Sequence, residues 1–334
     1  MSNGLPNYQN VSGLADYDEA ANWTASSDVS SGKRVTGFYY GSVLFRKDTL
    51  AALGDFDEEL ESAEYVIEDY CLRMILNDWK LKVCGSSLVW SVSDNEYERN
   101  TDPMEWKRLK QKWGMNYFNT MYNERIIEMI KDDKDAEINV LEVGCDCGAT
   151  LLEIQNRYPN AHLYGSELNE KAVQIASHFA VTAVNNIEEE NLMFESGMFD
   201  YIIFGDVLEH LRDPLRTIQY CRGFLRKGGS IIASIPNLMH ITVMEGLMNG
   251  NFTYTDKGLL DKTHIHLFTF NEIVKMFQAG GYIIKDIKSL VLSISKKHNE
   301  LIDRLLDCGG DAERWMYETF QYIVCAQWNE DKEQ

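Results

Sequence analysis

The side chains best suited to chemistry fall in a few short stretches. Within Tyr254–Thr269, the groups Asp261, His264 and His266 are able to take a proton from a hydroxyl. Asp206 and His210 follow an apolar run that begins at Phe199. Further upstream, the segment 138–148 reads Ile-Asn-Val-Leu-Glu-Val-Gly-Cys-Asp-Cys-Gly, an apolar strand that runs into a turn bounded by Gly144 and Gly148 and preceded by the acid Glu142. Strand, tight turn and helix in that order place a ligand at the carboxyl end of the strand, against the free N–H groups of the helix start. Glu167 closes the next strand, where doubly wound nucleotide folds use an acid to accept hydrogen bonds from two ribose hydroxyls. A metal is not expected. Cys145 and Cys147 lack a second pair at zinc-site spacing, and His264 and His266, two apart in an extended segment, point to opposite faces.

The elements that must position these groups alternate between short apolar runs and helical patterns, as in an α/β fold with a parallel sheet. Strands are predicted at 138–144, 162–166, 180–184, 199–205, 229–235, 282–291 and 320–328. The spacing predicts helices between them, including 150–158 after the turn and 297–317 before the last strand. Asp213 and Pro214 start a helix as N-cap and first-turn residue, and Thr269 with Glu272 forms a capping box for another. Ahead of the sheet, helices are expected over 101–113 and over 118–131, the second with Phe118, Met121, Tyr122, Ile126, Met129 and Ile130 on one face.

The turn also narrows the ligand. A dinucleotide fingerprint needs G-x-G-x-x-G, whereas here Asp146 and Ala149 stand at the second and last glycine positions. With Glu142, Gly144 and Gly148 matching acid-x-G-x-G-x-G, and with Phe199-Asp-Tyr-Ile followed by Asp206-Val-Leu-Glu-His-Leu211, the chain resembles the class I S-adenosylmethionine (SAM) dependent methyltransferases over residues 115–334. The resemblance implies a doubly wound, Rossmann-like sheet of order 3-2-1-4-5-7-6 with its last strand antiparallel. It implies SAM as cofactor, held by Glu142, Gly144, Cys145, Asp146 and Gly148 at the turn. Glu167 would sit on the ribose, Leu168 against the adenine, Asn186 and Ile187 near the adenine amino group, and Asp206, Val207 and Leu208 at the methionine end. His210 would lie by the mouth. His264, which stands where the family pattern has His, is the first choice of general base, with Asp261 beside it. Asp replaces the middle glycine at Asp146, and Asp is among the few residues that tolerate a positive φ.

A second resemblance covers residues 34–114. Arg46, Gly54-Asp-Phe-Asp-Glu58, Glu68-Asp-Tyr-Cys-Leu-Arg73 and Lys112-Trp-Gly114 are similar to the carboxyl half of family 2 glycosyltransferases, in which an acid of the Glu68-Asp69 element would be the base. No nucleotide-sugar half fits ahead of residue 34, so this module is expected to serve packing, docking or oligomerisation, after a partly ordered leader over 1–33. At 334 residues and 45% hydrophobic content the chain can hold two cores. A net charge of −20 argues against a nucleic acid or an anionic membrane as main partner. Seven scattered cysteines, no apolar run of membrane-spanning length (~18 residues) and a polar start are read as a cytoplasmic protein with free thiols. The expected activity is O-methylation of a sugar or glycan intermediate. The alternatives are a weak SAM-binding assembly partner of a glycan synthase and a glycosyltransferase fragment.

Overall fold

The computed structural model of the protein describes residues 33–36, 46–82, 103–114 and 121–329. The expected leader, apart from Lys33, lies outside the described residues. An antiparallel bridge joins Arg34 to Lys82.

Seven strands form one sheet: β1 (Asn139–Val143), β2 (His162–Glu167), β3 (Val181–Val184), β4 (Phe199–Gly205), β5 (Leu225–Pro236), β6 (Tyr282–Val291) and β7 (Thr319–Trp328), in the order β3-β2-β1-β4-β5-β7-β6. The first five pair in parallel and β7 runs antiparallel between β5 and β6, as expected from the sequence. Val140, Leu141, Ile202, Ile203, Phe204, Ile231 and Ile232 are buried on both faces of the sheet, which is why these strands read as continuous apolar runs. The order reverses between β1 and β4, and the crevice at that switch point is where a doubly wound sheet receives its ligand.

Two expected helices differ. The 297–317 helix is broken into α10 (Lys296–Asp307) and α11 (Arg314–Glu318) because Gly309 and Gly310 take φ of +82° and +118°. In place of a helix from 118 to 131, the described residues hold one turn, α4 (Glu124–Ile127). Asn123 caps it by accepting from the Ile126 N–H, which fixes its start there. Ile126, Ile127, Met129 and Ile130 are nevertheless buried, against the sheet face that carries Val140 and Ile203.

Ahead of the sheet lie α1 (Lys47–Leu53), α2 (Ala63–Leu76) and α3 (Pro103–Trp113). Glu105 of α3 accepts from the Ser62 N–H at the start of α2, so one helix caps the other. Tyr65, Tyr70, Leu72, Ile75, Leu109 and Trp113 share one core with Ala172 and Ile175 of α6 (Glu170–Ala176) and with Cys147 of the turn after β1. These helices therefore pack directly onto the ligand end of the sheet. Asp69 is fully buried, with Arg73 at 3.0 Å, Lys112 at 2.7 Å and the Trp113 indole N–H at 3.0 Å. Those partners occupy one of the two carboxylates, Asp69, of the element in which a glycosyltransferase reading would place its base. Among the described residues no helix is long and apolar enough to cross a membrane, and six cysteines are free thiols.

Candidate active site

The turn after β1 is built by backbone geometry. Gly144 and Gly148 have φ of +71° and +79°, and a Cβ on Gly144 would lie 2.6 Å from Val207 Cγ2, so the ends of β1 and β4 touch. Asp146 takes φ +47°, the left-handed conformation that a glycine would otherwise supply, and its N–H donates to Glu167 Oε2 at 3.1 Å. Asn169 N–H holds Glu167 Oε1 at 2.9 Å. Pinned by two amides, that carboxylate keeps further lone pairs for a ligand. The thiols of Cys145 and Cys147 are buried in the cores on either side, so Cys145 can meet a ligand only through its main chain.

Glu142, Asp146 and Glu167 converge on this turn, and the crevice is correspondingly acidic. Burial, and then the charges of Asp146 and Glu167, push the Glu142 carboxyl up to about 8 against a pull from a Thr150 hydrogen bond. Leu168, beside Glu167, is an apolar side chain that is 69% exposed. Asn186 starts the 3-10 turn Ile187–Glu189 by accepting from the Glu188 N–H at 3.2 Å, and Ile187 is buried in the core. That turn occupies the Asn186 carbonyl oxygen.

Past β4, Asp206 has φ +55°, its N–H donates to Ser234 Oγ at 2.9 Å, and its carboxylate accepts from Gln321. It stands deep between elements yet opens to solvent in the crevice, and the surrounding protein holds its pKa above the usual carboxylate range. Val207 lines the same wall. Leu208 does not; it is fully buried in the main core, because the 3-10 turn Leu208–His210 rolls its side chain inward.

The same turn carries Glu209 and His210 to the mouth. The Glu209 carbonyl accepts from the N–H groups of Ile265 at 2.8 Å and His266 at 3.0 Å, which stitches the Tyr254–Thr269 loop onto it. His210 and His264 then face each other with ring centroids 4.9 Å apart at 68°. A carbonyl can only accept, so the contacts of His210 Nδ1 with Thr263 O (3.1 Å) and His264 Nδ1 with Leu259 O (3.2 Å) put a proton on each Nδ1 and leave each Nε2 with a lone pair. Burial, and then His210, lowers the His264 pKa and favours the neutral ring. Asp261 is spent on bracing: its Oδ1 accepts from Thr263 N–H (2.8 Å) and Oγ1 (2.6 Å), and its carbonyl accepts from the His264 N–H (3.0 Å). It positions the loop rather than offering a free base. His266 turns away to the Arg212 carbonyl.

The residue missed from sequence is Glu209. It is 1% exposed, both carboxylate oxygens are unpartnered, and it lies with His210 and His264 so that one ligating atom from each falls within 4.8 Å of the others. The adjacent Glu-His pair was its only signal in the sequence.

A family profile described as "Methyltransferase domain" matches residues 106–285, more than half of the chain. The chain belongs to the methyltransferase-domain family. Similar proteins include the ubiquinone biosynthesis O-methyltransferase of Aromatoleum aromaticum, 26% identical over 41% of this chain and 64% of that protein. That of Paraburkholderia xenovorans is 22% identical over 64% of this chain and 99% of its own length. Solved structures with a similar fold include a SAM-dependent methyltransferase, possible histamine N-methyltransferase, from Thermotoga maritima (TM-score 0.45, 15% identity, 68% of this chain and 96% of that one). Another is a SAM-dependent methyltransferase from Archaeoglobus fulgidus (TM-score 0.44, 14% identity, 66% and 99%).

SAM is the cofactor of this methyltransferase domain, and the crevice fits it on charge. The Asp146 and Glu167 carboxylates at the turn, joined by Glu142 once it gives up its proton, repel the pyrophosphate of a dinucleotide and attract a ligand with sulfonium and ammonium groups.

Proposed function

We propose that the protein transfers the methyl group of SAM to a hydroxyl oxygen of a sugar or glycan intermediate. The observation that supports an oxygen acceptor is the facing pair His210 and His264, each with Nδ1 fixed on a carbonyl and Nε2 open. Bound SAM supplies an electrophilic methyl carbon whose displacement relieves a positive charge. The chain's part is to hold donor and acceptor in line, and to remove the hydroxyl proton. In this reading Glu167 and Leu168 orient the nucleoside, Asp206 and Val207 flank the methionine end, and His264 Nε2 takes the proton. The polar, acidic crevice and the glycosyltransferase-like motifs of residues 34–114 favour a hydroxyl-rich acceptor. Residues 34–114 would then serve to dock a second copy or a glycan-synthesis partner.

A second acceptor class, a phenolic hydroxyl on a molecule with an apolar portion, is favoured by a different observation. Leu247, Met248, Phe252, Tyr254 and Ile265 are exposed on α8 (Ile241–Met248) and the loop that carries His264, and the similar proteins are named as ubiquinone biosynthesis O-methyltransferases. Mass spectrometry of sugar, glycan and phenolic acceptors after incubation with the protein and SAM separates them. A methylated sugar hydroxyl is the expected product. Methylation confined to phenols would move the assignment to the second class, and transfer to nitrogen alone would overturn both. Full turnover in His264→Ala would remove that residue as base.

A further inference from the structure

We propose that Glu209, His210 and His264 form a binding site for one divalent first-row transition cation, which holds the acceptor oxygen. The site rests on the oxygen-acceptor reading above but gives the His264 Nε2 lone pair to the cation in place of the acceptor proton, and it replaces the expectation from sequence that no metal binds.

Glu209 supplies the first ground. A carboxyl taken out of water with both oxygens unpartnered either keeps its proton or, as a bare charge, costs several kcal/mol (~3 or more) until a counter-charge meets it. The acids Asp206 and Asp261 act on it from the 206–210 turn and from the loop, so the neighbourhood adds negative charge. A cation answers all three.

The imidazoles supply an independent ground. A ring that ligates a metal through Nε2 ordinarily donates Nδ1–H to a carbonyl or carboxylate, which fixes tautomer and direction. His210 and His264 both show this arrangement, with Thr263 and Leu259 as the carbonyl partners. One nitrogen of each ring and one Glu209 oxygen fall within 4.8 Å of one another, so small side-chain rotations bring them to the ~2.0–2.2 Å bonds of a single ion. His266 turns to the Arg212 carbonyl and stands outside this cluster.

Two imidazoles and one carboxylate suit cations of the Mn2+ to Zn2+ range and leave coordination positions open. An acceptor hydroxyl taking one of them loses its proton to solvent more readily, because the cation stabilises the oxyanion. The oxygen lone pair then forms the new O–C bond as the C–S bond breaks, its pair returning to sulfur to leave a neutral thioether.

The test needs no turnover. Chelator-treated full-length protein is titrated with Mn2+ by electron paramagnetic resonance and with Zn2+ by calorimetry. One ion per chain is expected, with Glu209→Gln and His264→Ala each weakening binding by about tenfold or more and His266→Ala leaving it unchanged. The two weakening variants lie on separate elements, and each is checked for wild-type SAM binding to show that the sheet is intact. Absence of binding to the wild type, or binding that neither variant weakens, overturns the site. Either result leaves methyl transfer with His264 as base untouched. Full turnover after chelation overturns the cation's hold on the acceptor.

Discussion

Glu167 ties the turn after β1 to the end of β2 and has spare lone pairs for a ligand, so Glu167→Ala removes both a brace and a contact. SAM affinity by calorimetry is expected to fall about tenfold or more, the worth of one or two charge-assisted hydrogen bonds. Glu142 gives a pH signature. With its carboxyl held up to about 8, the unliganded crevice carries a proton at neutral pH that a cationic ligand displaces. SAM affinity is therefore expected to rise with pH through about 8 and then level off, and Glu142→Gln should flatten the profile. The sign for stability is opposite. The folded state holds this proton more tightly than the unfolded chain, whose value is near 4.5, so the stabilisation is complete below 4.5 and is lost as pH rises to about 8. At this scale the sequence was partly legible. Asp146 was readable as a left-handed residue, because Asp is one of the few that tolerate it. Glu209 was not, since burial without a partner is a property of the fold around a side chain.

At the scale of elements, the turn and helix α5 (Ala149–Arg157) depend on Gly148, whose hypothetical Cβ would lie 3.0 Å from Ala176 Cβ and 3.1 Å from Ala176 Cα. Gly148→Val should therefore cost at least ~2 kcal/mol from the positive φ alone, with more from the clash against α6. The thermal midpoint and SAM binding should fall together. The strands were readable to within a residue, except that β5 starts at Leu225 rather than at 229, because strands buried on both faces must be apolar throughout whereas the polar start Arg226–Gly229 carries no such pattern. The helix break at Gly309-Gly310 was obscured by the good helical pattern on either side of it. The single turn of α4 was likewise obscured, because its buried apolar residues fit a longer helix equally well.

At the scale of the whole molecule, α2 and α3 share a core with Cys147, Ala172 and Ile175, so the sheet's ligand end is stabilised from outside the strands. Leu72 is fully buried there, and Leu72→Ala is expected to cost about 2–5 kcal/mol. Denaturant unfolding should show one transition shifted as a unit; a separate early transition would mean that residues 46–114 fold apart from the sheet. The sequence presented these residues as a module of another ancestry, which hid their contact with the turn after β1 and with α6. Such contacts join residues far apart in the chain and leave no periodic trace.

Three carboxylates around one turn also bear on how a catalytic cycle ends. SAM enters with a net positive charge and leaves as a thioether whose ammonium and carboxylate cancel, so the attraction that draws it in weakens at the moment of transfer. S-adenosylhomocysteine is thus expected to bind more weakly than SAM at low ionic strength, the gap narrowing as salt is added. The spent donor would then escape without any lid having to open.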